Sequence, residues 1–598
     1  MISIFEEEIN LIKEAIFHRP KNNFAYAYDA NTLHIRLQAK KNDLTRVELI
    51  HGDPYRWAEG RMLSDKLPMV KAAADELYDY WFIAIEPENK RFVYQFEVSD
   101  DRETWVFGEM GFTADIEQNR FFRFPYLNAV DVFDAPAWVK DTVWYQIFPE
   151  RFANGNPARK TNTNAVWGDV PGPDSFFGGD FEGILEHLDY LSDLGITGIY
   201  MTPIFEAPTN HKYDTIDYMK LDPQFGDEET FRKLVKACHD RGIRVMLDAV
   251  FNHAGYGFGP FQDVLKHGAA SRYADWFHML SYGNGEEAPR YETFAFTPYM
   301  PKLNTSHPEV KQYLLDVAKH WIEEFDIDGW RLDVANEVDH RFWREFRNAV
   351  RGVKDDVYMV AEIWNDAMPW LQGDQFDSVM NYPFGEAVID FIAKDKIEAT
   401  RFASLVTSHL QIYPENVSRV LFNLLGSHDT PRILTVCGED LNKLKLAFLL
   451  LYTYPGSPCI YYGDEIGLTG DGDDFAYYRA CMEWEPEKQN QELLAFVKRL
   501  IAIRKASPAL TDNARMEFLK TDDAKGLVIY RRRSGNEEIL VALNKGDQPV
   551  EFELPASWSG KSVVDLWTGQ QAEQDKGPQS TSFKLDGKQF RILGLGIK

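Results

Sequence analysis

Eight short, nearly continuous apolar runs, separated by longer amphipathic stretches, occupy the middle of the chain. Such runs are typical of parallel strands that are buried on both faces, and the stretches between them are typical of helices that cover the sheet. Residues 181–194, for example, place six apolar side chains on one stripe before Gly195. Eight strand–helix units predict a (β/α)8 TIM barrel within a multidomain α/β protein. The runs are residues 142–148, 196–205, 245–251, 329–335, 357–364, 376–382, 420–425 and 458–462.

The 598 residues are too many for one core, and the pattern changes on both sides of the barrel. Residues 1–130 alternate with a period of two, which predicts half-buried strands, and an N-terminal β-sandwich of the carbohydrate-binding kind fits them. Residues 131–510 form the predicted catalytic barrel. An aperiodic insertion at 254–307, after the third strand, is expected to form a small subdomain B. Residues 511–598 alternate again and predict a C-terminal β-sandwich.

Charge and cysteine usage exclude several classes of partner. The net charge of −28 repels phosphate backbones and anionic lipid, so we expect neither nucleic acid nor a membrane as partner, whereas neutral sugars are not disfavoured. The four cysteines lie far apart in apolar stretches without metal-ligand spacing, which favours buried free thiols. The N-terminus has no signal-peptide pattern, and no apolar run is long enough to span a bilayer. We therefore expect a cytoplasmic protein.

Polar residues crowd the ends of four predicted barrel strands, the edge at which enzymes of this fold keep their active sites. Arg331 and Asp333 are two residues apart and therefore leave the same face of their strand. A guanidinium beside a carboxylate favours its charged form, which suits a nucleophile. Glu362, one strand away, is the expected acid, since burial beside negative charge favours the protonated form. Asp429 adds a third carboxylate.

These carboxylates match what acetal hydrolysis with retention requires. One carboxylate attacks and one acid protonates the leaving oxygen, and retention predicts that the carboxyl groups of Asp333 and Glu362 lie about 5–5.5 Å apart. A lone Asp at a strand end is more often a helix N-cap, and a lone His is more often a core residue. Three carboxylates together with Arg331, His253 and His428 on one rim favour a catalytic site.

The strand ends resemble those of the α-amylase family, glycoside hydrolase family thirteen, across essentially the whole barrel. Residues 300–304, Met-Pro-Lys-Leu-Asn, resemble the neopullulanase, cyclomaltodextrinase and maltogenic amylase subfamily. The Asn-Glu pair at 336–337 and the N-terminal β-domain point the same way. The stretches that carry the family resemblance are residues 248–253, 329–337, 362–364 and 427–429, supported by 195–205 and 463–467.

The resemblance implies a role for each of ten side chains. It implies that Asp333 attacks the anomeric carbon, that Glu362 acts as acid and then base, and that Asp429 grips sugar hydroxyls. It also implies that Tyr213 stacks on the sugar and that His253 and His428 donate hydrogen bonds to it. Arg331 is implied to orient the nucleophile, and Glu337 and Trp364 to lie on the leaving-group side. Arg479 is implied to bind substrate. For Tyr213 and Trp364 the alternative is a plain core aromatic.

The sequence departs from its relatives at two places near the site. Asn365 stands where the subfamily often has His, which leaves the acceptor-side contacts less defined. Residues 473–479 are one residue longer than usual and lack a proline, so we assign the substrate contact to Arg479 and none to Asp474.

A third departure concerns calcium, which several subfamily members bind in the loop after the first barrel strand. The candidate ligands here are weak, and the cations Arg159 and Lys160 stand beside them. Calcium takes six to eight oxygens, with carboxylates supplying much of the affinity. We therefore expect no calcium at this loop and no required cofactor, since the Lys160 ammonium can occupy the metal's place and satisfy Asp180. The simpler alternative for Asp180 is a helix N-cap. The candidate ligands are Asn154, Asn156, Gly178 and Asp180.

The leading expectation is a retaining, endo-acting hydrolase of α-1,4-glucosidic bonds in cyclomaltodextrins, linear maltooligosaccharides and pullulan, with some transglycosylation. Alternatives are an oligo-α-glucosidase for isomaltose- or sucrose-like substrates, a non-catalytic glucan-binding relative, and a starch-binding protein that uses its N-terminal domain. The motif at 300–304 argues against the first, and the three retained carboxylates argue against the second. The resemblance also implies a homodimer in which the N-terminal domain packs against the neighbouring barrel.

Overall fold

A computed structural model of the chain describes residues 11–116, 120–159, 162–283, 287–470, 472, 475–512, 515–572 and 582–596. Its contacts divide the chain into two compact units. The first comprises Met1–Asp134 and Ala399–Ser418, and the second comprises Ala135–Glu398 and Arg419–Lys598. The predicted domain limits at residues 130 and 510 remain predictions.

The second unit contains the predicted barrel, with one parallel strand at each of the eight apolar runs. The strands are β1 (Trp144–Ile147), β2 (Gly198–Met201), β3 (Arg244–Ala249), β4 (Gly329–Leu332), β5 (Tyr358–Ala361), β6 (Ser378–Val379), β7 (Phe422–Asn423) and β8 (Ser457–Tyr461). Their order in the sheet is β6-β5-β4-β3-β2-β1-β8-β7, and a parallel bridge between Met380 and Phe422 closes the ring. The carboxyl ends of all eight strands therefore meet at one rim.

The first predicted helix is interrupted. The apolar stripe at 181–194 forms two helices, Phe181–Glu186 and Leu188–Leu194, which meet at His187. His187 has φ −106° and ψ 10°, outside the helical range, so the two segments do not continue into each other. Gly195 ends the second segment with φ 99°, a left-handed conformation that favours glycine.

Helices follow seven of the eight strands, whereas β5 and β6 are joined only by a 3-10 turn at Met368–Trp370 within the described residues. The helix Glu228–His239 buries its apolar stripe as predicted. The inserted subdomain B follows β3 and contains the helix Gly259–His267 and a small antiparallel pair, Met279–Ser281 and Arg290–Tyr291. The other long helices of this unit are Pro308–Phe325, His340–Val353, Tyr382–Val388, Leu441–Thr453 and Gln491–Ala506.

The C-terminal part of the second unit is the predicted antiparallel sandwich. One sheet has six strands and the other has two, and apolar side chains from both sheets share one core. The six-stranded sheet consists of Met516–Asp522, Leu527–Ser534, Glu537–Asn544, Gln589–Leu595, Val563–Asp565 and Gln570–Gln571, and the smaller sheet of Val550–Glu553 and Ser582–Leu585.

The first unit is the predicted N-terminal sandwich. A four-stranded sheet faces a six-stranded sheet across one apolar core. The first sheet is Ala25–Ala27, Leu33–Lys40, Tyr78–Ile85 and Val70–Ala74, and the second is Gly111–Thr113, Thr104–Gly108, Phe92–Ser99, Arg46–Gly52 and Asp65–Pro68, with Phe122–Phe124 also paired to Phe92–Ser99. The alternating apolar residues of Leu33–Lys40 are fully buried, as expected for a strand with one face in the core.

The opposite face of Leu33–Lys40 is also covered, which alternation does not predict. His34 and Arg36, expected on the more polar face, are only 4% and 6% exposed. The Arg36 guanidinium donates to the carbonyl oxygens of Tyr413 at 2.9 Å and of Gln411 at 3.3 Å. A segment between β6 and β7, containing the helix Ala399–Ile412, therefore belongs to the N-terminal unit although it is distant in sequence.

All four cysteines are buried and unpaired, as predicted. None of the helices in the described part of the chain is both long and apolar enough to cross a membrane.

Replacing Arg36 tests its hold on this segment. Arg36→Leu would leave buried carbonyl oxygens without a donor, so we expect the free energy of unfolding to fall by about 3 kcal/mol. Urea denaturation followed by tryptophan fluorescence measures the change. Lys40→Leu, at the exposed end of the same strand, is the control and should change stability little. Equal effects of the two substitutions would contradict this role for Arg36.

Candidate active site

A cleft of about 1060 Å³ opens in the second unit, where loops after the barrel strands meet subdomain B. All three predicted catalytic carboxylates and five of the seven predicted substrate-binding side chains line it. Arg331 lies outside this lining, fully buried, and Glu337 is also outside it. The lining residues predicted from the sequence are Asp333, Glu362, Asp429, Tyr213, His253, Trp364, His428 and Arg479.

One buried guanidinium connects the acidic groups of the cleft. Arg331 Nη1 lies 3.0 Å from both carboxylate oxygens of Asp248 and 2.7 Å from Oδ1 of Asp333. Its Nη2 lies 2.8 Å from Oε1 of Glu362. A single cation therefore contacts three carboxylates, and its side chain is completely inaccessible to solvent. The hydrogen bonds to Asp248 and Asp333 fix both distance and orientation, whereas the contact with Glu362 is an ion pair.

The barrel itself sets these positions. Asp248 and Arg331 are register partners on β3 and β4. Asp333 follows β4, and its N–H donates to the carbonyl of Ala249 at 3.0 Å, while the N–H of Glu362, directly after β5, donates to the carbonyl of Leu332 at 2.9 Å. Both candidate catalytic residues are therefore still tied to the barrel backbone rather than carried on free loops.

The residue after Asp333 has an unusual backbone. Val334 adopts φ 46° and ψ 42°, the left-handed region, which is strained for a β-branched residue. Its N–H donates to Oε2 of Glu362 at 3.0 Å. Strain of this kind costs about 1–3 kcal/mol and persists where the surroundings enforce it. Here the unusual conformation gives Glu362 a backbone donor, which no sequence pattern indicated.

The ionisation of Asp333 differs from the expectation that Arg331 keeps it charged. Burial has the largest influence and raises the pKa of Asp333 well above its usual range. Arg331 opposes this rise, whereas the negative charges of Glu362 and Asp248 add to it. Burial likewise raises the pKa of Asp248 to about 6. Arg331 therefore limits the rise in the pKa of Asp333 but does not cancel it.

Tyr213 and His428 form one wall of the cleft. Their rings are nearly parallel, with an interplanar angle of 4° and centroids 5.2 Å apart. The Tyr213 hydroxyl lies 2.7 Å from Nε2 of His428 and donates to Asp248 at 2.9 Å. Burial lowers the pKa of His428 well below its usual value, and burial lowers that of His253 to about 3, so both imidazoles are neutral at pH 7. The alternative of a plain core aromatic is wrong for Tyr213, which lines the cleft.

Asp429 is held by the residue that the sequence assigned to substrate binding. Arg479 donates to Oδ1 of Asp429 at 3.1 Å and to the carbonyl of His428 at 2.8 Å. The loop that bears Arg479 thus orients the third carboxylate as well as lining the cleft. Asp474, to which no role was assigned, lies outside the described residues.

Trp364 and Glu337 occupy different positions relative to the cleft. Trp364 is 41% exposed and stacks on Tyr382 with centroids 3.7 Å apart, so the plain-core alternative is wrong for it too. The Glu337 carboxylate instead lies 3.1 Å from Nζ of Lys302. Lys302 belongs to the predicted motif at 300–304 and also donates to Asn252, so the motif ties subdomain B to the rim of the barrel.

Sequence reasoning did not assign roles to three side chains beneath the cleft. Asp248 accepts from Arg331 and from the hydroxyl of Tyr200 at 2.6 Å. The side-chain nitrogen of Gln146 lies 2.7 Å from Nδ1 of His428. Gln146 and Tyr200 are register partners on β1 and β2. A polar Gln within an otherwise apolar barrel run was the available signal.

The loop of the calcium candidates is held together by hydrogen bonds. Asp180 accepts from the N–H of Gly155 at 2.9 Å, of Asn156 at 3.0 Å and of Gly183 at 2.8 Å, and it caps the helix Phe181–Glu186, the alternative considered for it. Asn154 approaches the carbonyl of Phe177 at 3.5 Å.

These donors make the loop a poor fit for calcium. Three backbone donors on one carboxylate compete with a cation for the same oxygens. Gly178 donates its N–H to Glu150, and Arg159 pairs with Glu182. In the part of the chain that is described, no group of three or more acidic, His or Cys side chains forms a metal site. Lys160 lies outside the described residues.

Comparison with known proteins agrees with this geometry. Residues 146–488 match the alpha amylase catalytic domain, residues 11–128 the alpha amylase N-terminal ig-like domain, and residues 516–592 the maltogenic amylase C-terminal domain. A solved structure of a cyclomaltodextrinase superposes with a TM-score of 0.91 at 45% identity, covering 97% of this chain and 99% of that one.

Curated relatives are similar over nearly their full length. A cyclomaltodextrinase of Geobacillus thermopakistaniensis is 57% identical, with 93% of this chain and 95% of the relative covered. The intracellular maltogenic amylase of Bacillus subtilis strain 168 is 48% identical, with the same coverage of 93% and 95%. With its carboxylates gathered at the barrel rim, this chain belongs to the α-amylase family of glycoside hydrolases.

Proposed function

We propose that the protein is a retaining hydrolase that cleaves α-1,4-glucosidic bonds in cyclomaltodextrins, maltooligosaccharides and pullulan, with some transglycosylation. The observation that carries the proposal is the pair Asp333 and Glu362, held on one guanidinium at the floor of an open cleft. The names of the relatives and the motif at 300–304 favour these substrates over isomaltose- or sucrose-like ones. Three intact carboxylates in one cleft count against a non-catalytic relative.

The proposal gives each carboxylate a separate task. Asp333 attacks the anomeric carbon and forms a covalent glycosyl intermediate, while Glu362 protonates the leaving oxygen and later removes a proton from water. Asp429 binds sugar hydroxyls, in an orientation set by Arg479. Neutral His253 and His428 offer hydrogen bonds without adding positive charge where the oxocarbenium-like state develops.

The assignment of nucleophile and acid predicts both stereochemistry and mutant behaviour. Early turnover should release the α-anomer, observed by proton NMR. Asp333→Asn and Glu362→Gln should each reduce kcat by several orders of magnitude, since each removes a group required in the transition state. Azide should rescue a small variant at Asp333, such as Asp333→Gly, by forming a β-glycosyl azide. A β-anomer as first product, or near-native turnover in either variant, would exclude the assignment.

The raised pKa of Asp333 predicts the acidic limit of activity. Because the attacking carboxylate must be ionised, kcat/KM should fall as pH drops through a value above about 3.9, the usual Asp pKa. Arg331 lowers this pKa, so Arg331→Lys, with fewer contacts to the carboxylates, should move the acidic limb to higher pH.

The control for this pH shift is Arg244→Lys. Arg244 begins β3 and pairs with Asp328 at 2.8 Å, at the opposite end of the strand from Asp248. The acidic limb of the pH profile of kcat/KM should be the same in Arg244→Lys as in the wild type. An unmoved limb in Arg331→Lys, or an equal shift in both variants, would contradict the role of Arg331.

Dimer formation through the N-terminal domain is part of the proposal. Support comes from the segment around the hairpin Trp57–Ala58 and Arg61–Met62, where Tyr55 is 76% exposed, Trp57 54% and Leu63 51%. Clustered apolar side chains of this size often mark interfaces. A partner placed here would narrow the neighbouring cleft and favour small or cyclic dextrins over granular starch.

Full-length variants test the dimer better than truncation, because the segment Ala399–Ser418 belongs to the N-terminal unit. Tyr55→Ser combined with Trp57→Ser should weaken dimerisation in analytical ultracentrifugation and reduce the preference for γ-cyclodextrin over starch. Tyr126→Ser, at another exposed tyrosine, is the control. An unchanged assembly state and preference in the double variant would refute the interface.

We also propose that activity needs no calcium at the loop of Asn154 and Asp180, since hydrogen bonds already satisfy the Asp180 carboxylate. EDTA should leave activity and Tm nearly unchanged. The proposal would be wrong if EDTA strongly reduced activity or Tm and added calcium restored it. Loss of that calcium response in Asp180→Asn would locate the metal at this loop.

A cytoplasmic location completes the proposal. The four buried free thiols suit a reducing compartment, and the relative in Bacillus subtilis is named intracellular.

A further inference from the structure

The proton positions around His428 can be worked out from its neighbours. A series of hydrogen bonds connects Asp248, Tyr213 and His428, and Asp248 is its fixed end. Arg331 donates to both oxygens of Asp248 and so holds it as an acceptor. The Tyr213 hydroxyl, 2.9 Å from Asp248, must therefore give its only proton to that carboxylate. What Tyr213 presents to His428 is then an oxygen lone pair.

The ring nitrogen that faces Tyr213 must consequently carry a hydrogen. Nε2 of His428 lies 2.7 Å from the Tyr213 oxygen and 3.2 Å from Oδ2 of Asp429, and both are acceptors. The ring is neutral, since burial and the nearby cations Arg479 and Arg331 disfavour imidazolium. A neutral ring with its hydrogen on Nε2 has a lone pair on Nδ1.

The partner of Nδ1 is Gln146, a residue beneath the cleft. The amide nitrogen of Gln146, on β1, lies 2.7 Å from Nδ1, and the side chain is 1% exposed. An amide NH2 donates, as the lone pair requires. The acceptors at Nε2 select this tautomer, and the amide nitrogen of Gln146 at Nδ1 agrees with it.

We propose that Gln146 is a positioning residue that holds His428 in its neutral Nε2–H tautomer. Through this tautomer it also fixes the direction of hydrogen bonding from His428 to Tyr213 and on to Asp248. The consequence for the reaction, which rests on the proposed function, is that a neutral imidazole lines the cleft and adds no cation where positive charge develops on the sugar.

The isosteric variant Gln146→Glu reverses the interaction at Nδ1. A carboxylate accepts rather than donates, so it draws a proton onto Nδ1. The ring then becomes either imidazolium, which opposes the oxocarbenium-like state, or the Nδ1–H tautomer, which turns a lone pair toward Tyr213 and Asp429. Gln146→Met keeps the size but removes the donor, while the acceptors at Nε2 remain.

The first experiment observes the proton directly. The protein is labelled with [15N]histidine, and His428 is assigned among the 14 histidines by comparison with His428→Asn. Two-bond 1H–15N spectra at pH 7 should show protonated Nε2 and unprotonated Nδ1 in the wild type, and a protonated Nδ1 in Gln146→Glu. Protonated Nδ1 in the wild type would overturn the proposal, whether or not any variant folds.

The second experiment measures turnover of γ-cyclodextrin. Gln146→Glu should lower kcat about a hundredfold with KM changed less than about threefold, as expected for a transition-state effect. Gln146→Met should lose only about tenfold, the equivalent of one hydrogen bond. A role in packing alone would instead make Glu, the closer isostere, the milder change.

Gln375→Glu is the matched control. Gln375 is fully buried and its Oε1 lies 2.8 Å from Nδ1 of His340, but neither residue lines the cleft. Its kcat should stay within about threefold of wild type. Near-native kcat in folded Gln146→Glu, or an equal loss in Gln375→Glu, would overturn the proposal. If the wild type shows His428 protonated on Nε2 but does not cleave γ-cyclodextrin, the proposed substrate is refuted and the proposed tautomer is not.

Discussion

The active site depends on one buried ion cluster, in which Arg331 neutralises part of the charge of three carboxylates. Taking charges out of water is costly, and a buried carboxylate without a partner would bind a proton instead. Burial raises the pKa of both Asp248 and Asp333, and at Asp333 the negative charges of Glu362 and Asp248 add to the rise. Arg331 opposes this rise, so the ionisation of the nucleophile depends on the balance between burial and one buried cation.

The barrel makes this cluster tolerable because it fixes the backbone on every side. The N–H groups of Asp333 and Glu362 remain bonded to neighbouring strands, so the backbone that carries each carboxylate is fixed. The strained backbone of Val334 adds a further donor to Glu362. Rigid strands and a strained turn together hold charges in positions that a flexible loop would not keep.

Around this cluster, hydrogen bonds run in a defined direction from Gln146 through His428 and Tyr213 to Asp248. Each group in this chain has an acceptor on one side and a donor on the other. The neutral state of the imidazole follows from burial and from two nearby arginines. The proton positions in the polar interior of the barrel are thus mutually dependent, and replacing Gln146 changes the hydrogen bonds that His428 makes at the cleft.

The sequence by itself determined the barrel, because eight buried strands leave eight apolar runs that no other fold class explains as well. It also identified the carboxylates, since their residue types at strand ends are required by the chemistry. The split of the first helix at His187 and the left-handed Val334 are local backbone conformations, which hydrophobic periodicity does not record. Tertiary structure alone decided that Arg331 contacts three carboxylates. It also decided that the pKa of Asp333 is raised, because burial depends on residues far apart in the chain. For the same reason only the folded chain could bring residues 411 and 413 to Arg36, and Gln146 to His428: hydrogen-bond partners separated by hundreds of residues leave no local pattern.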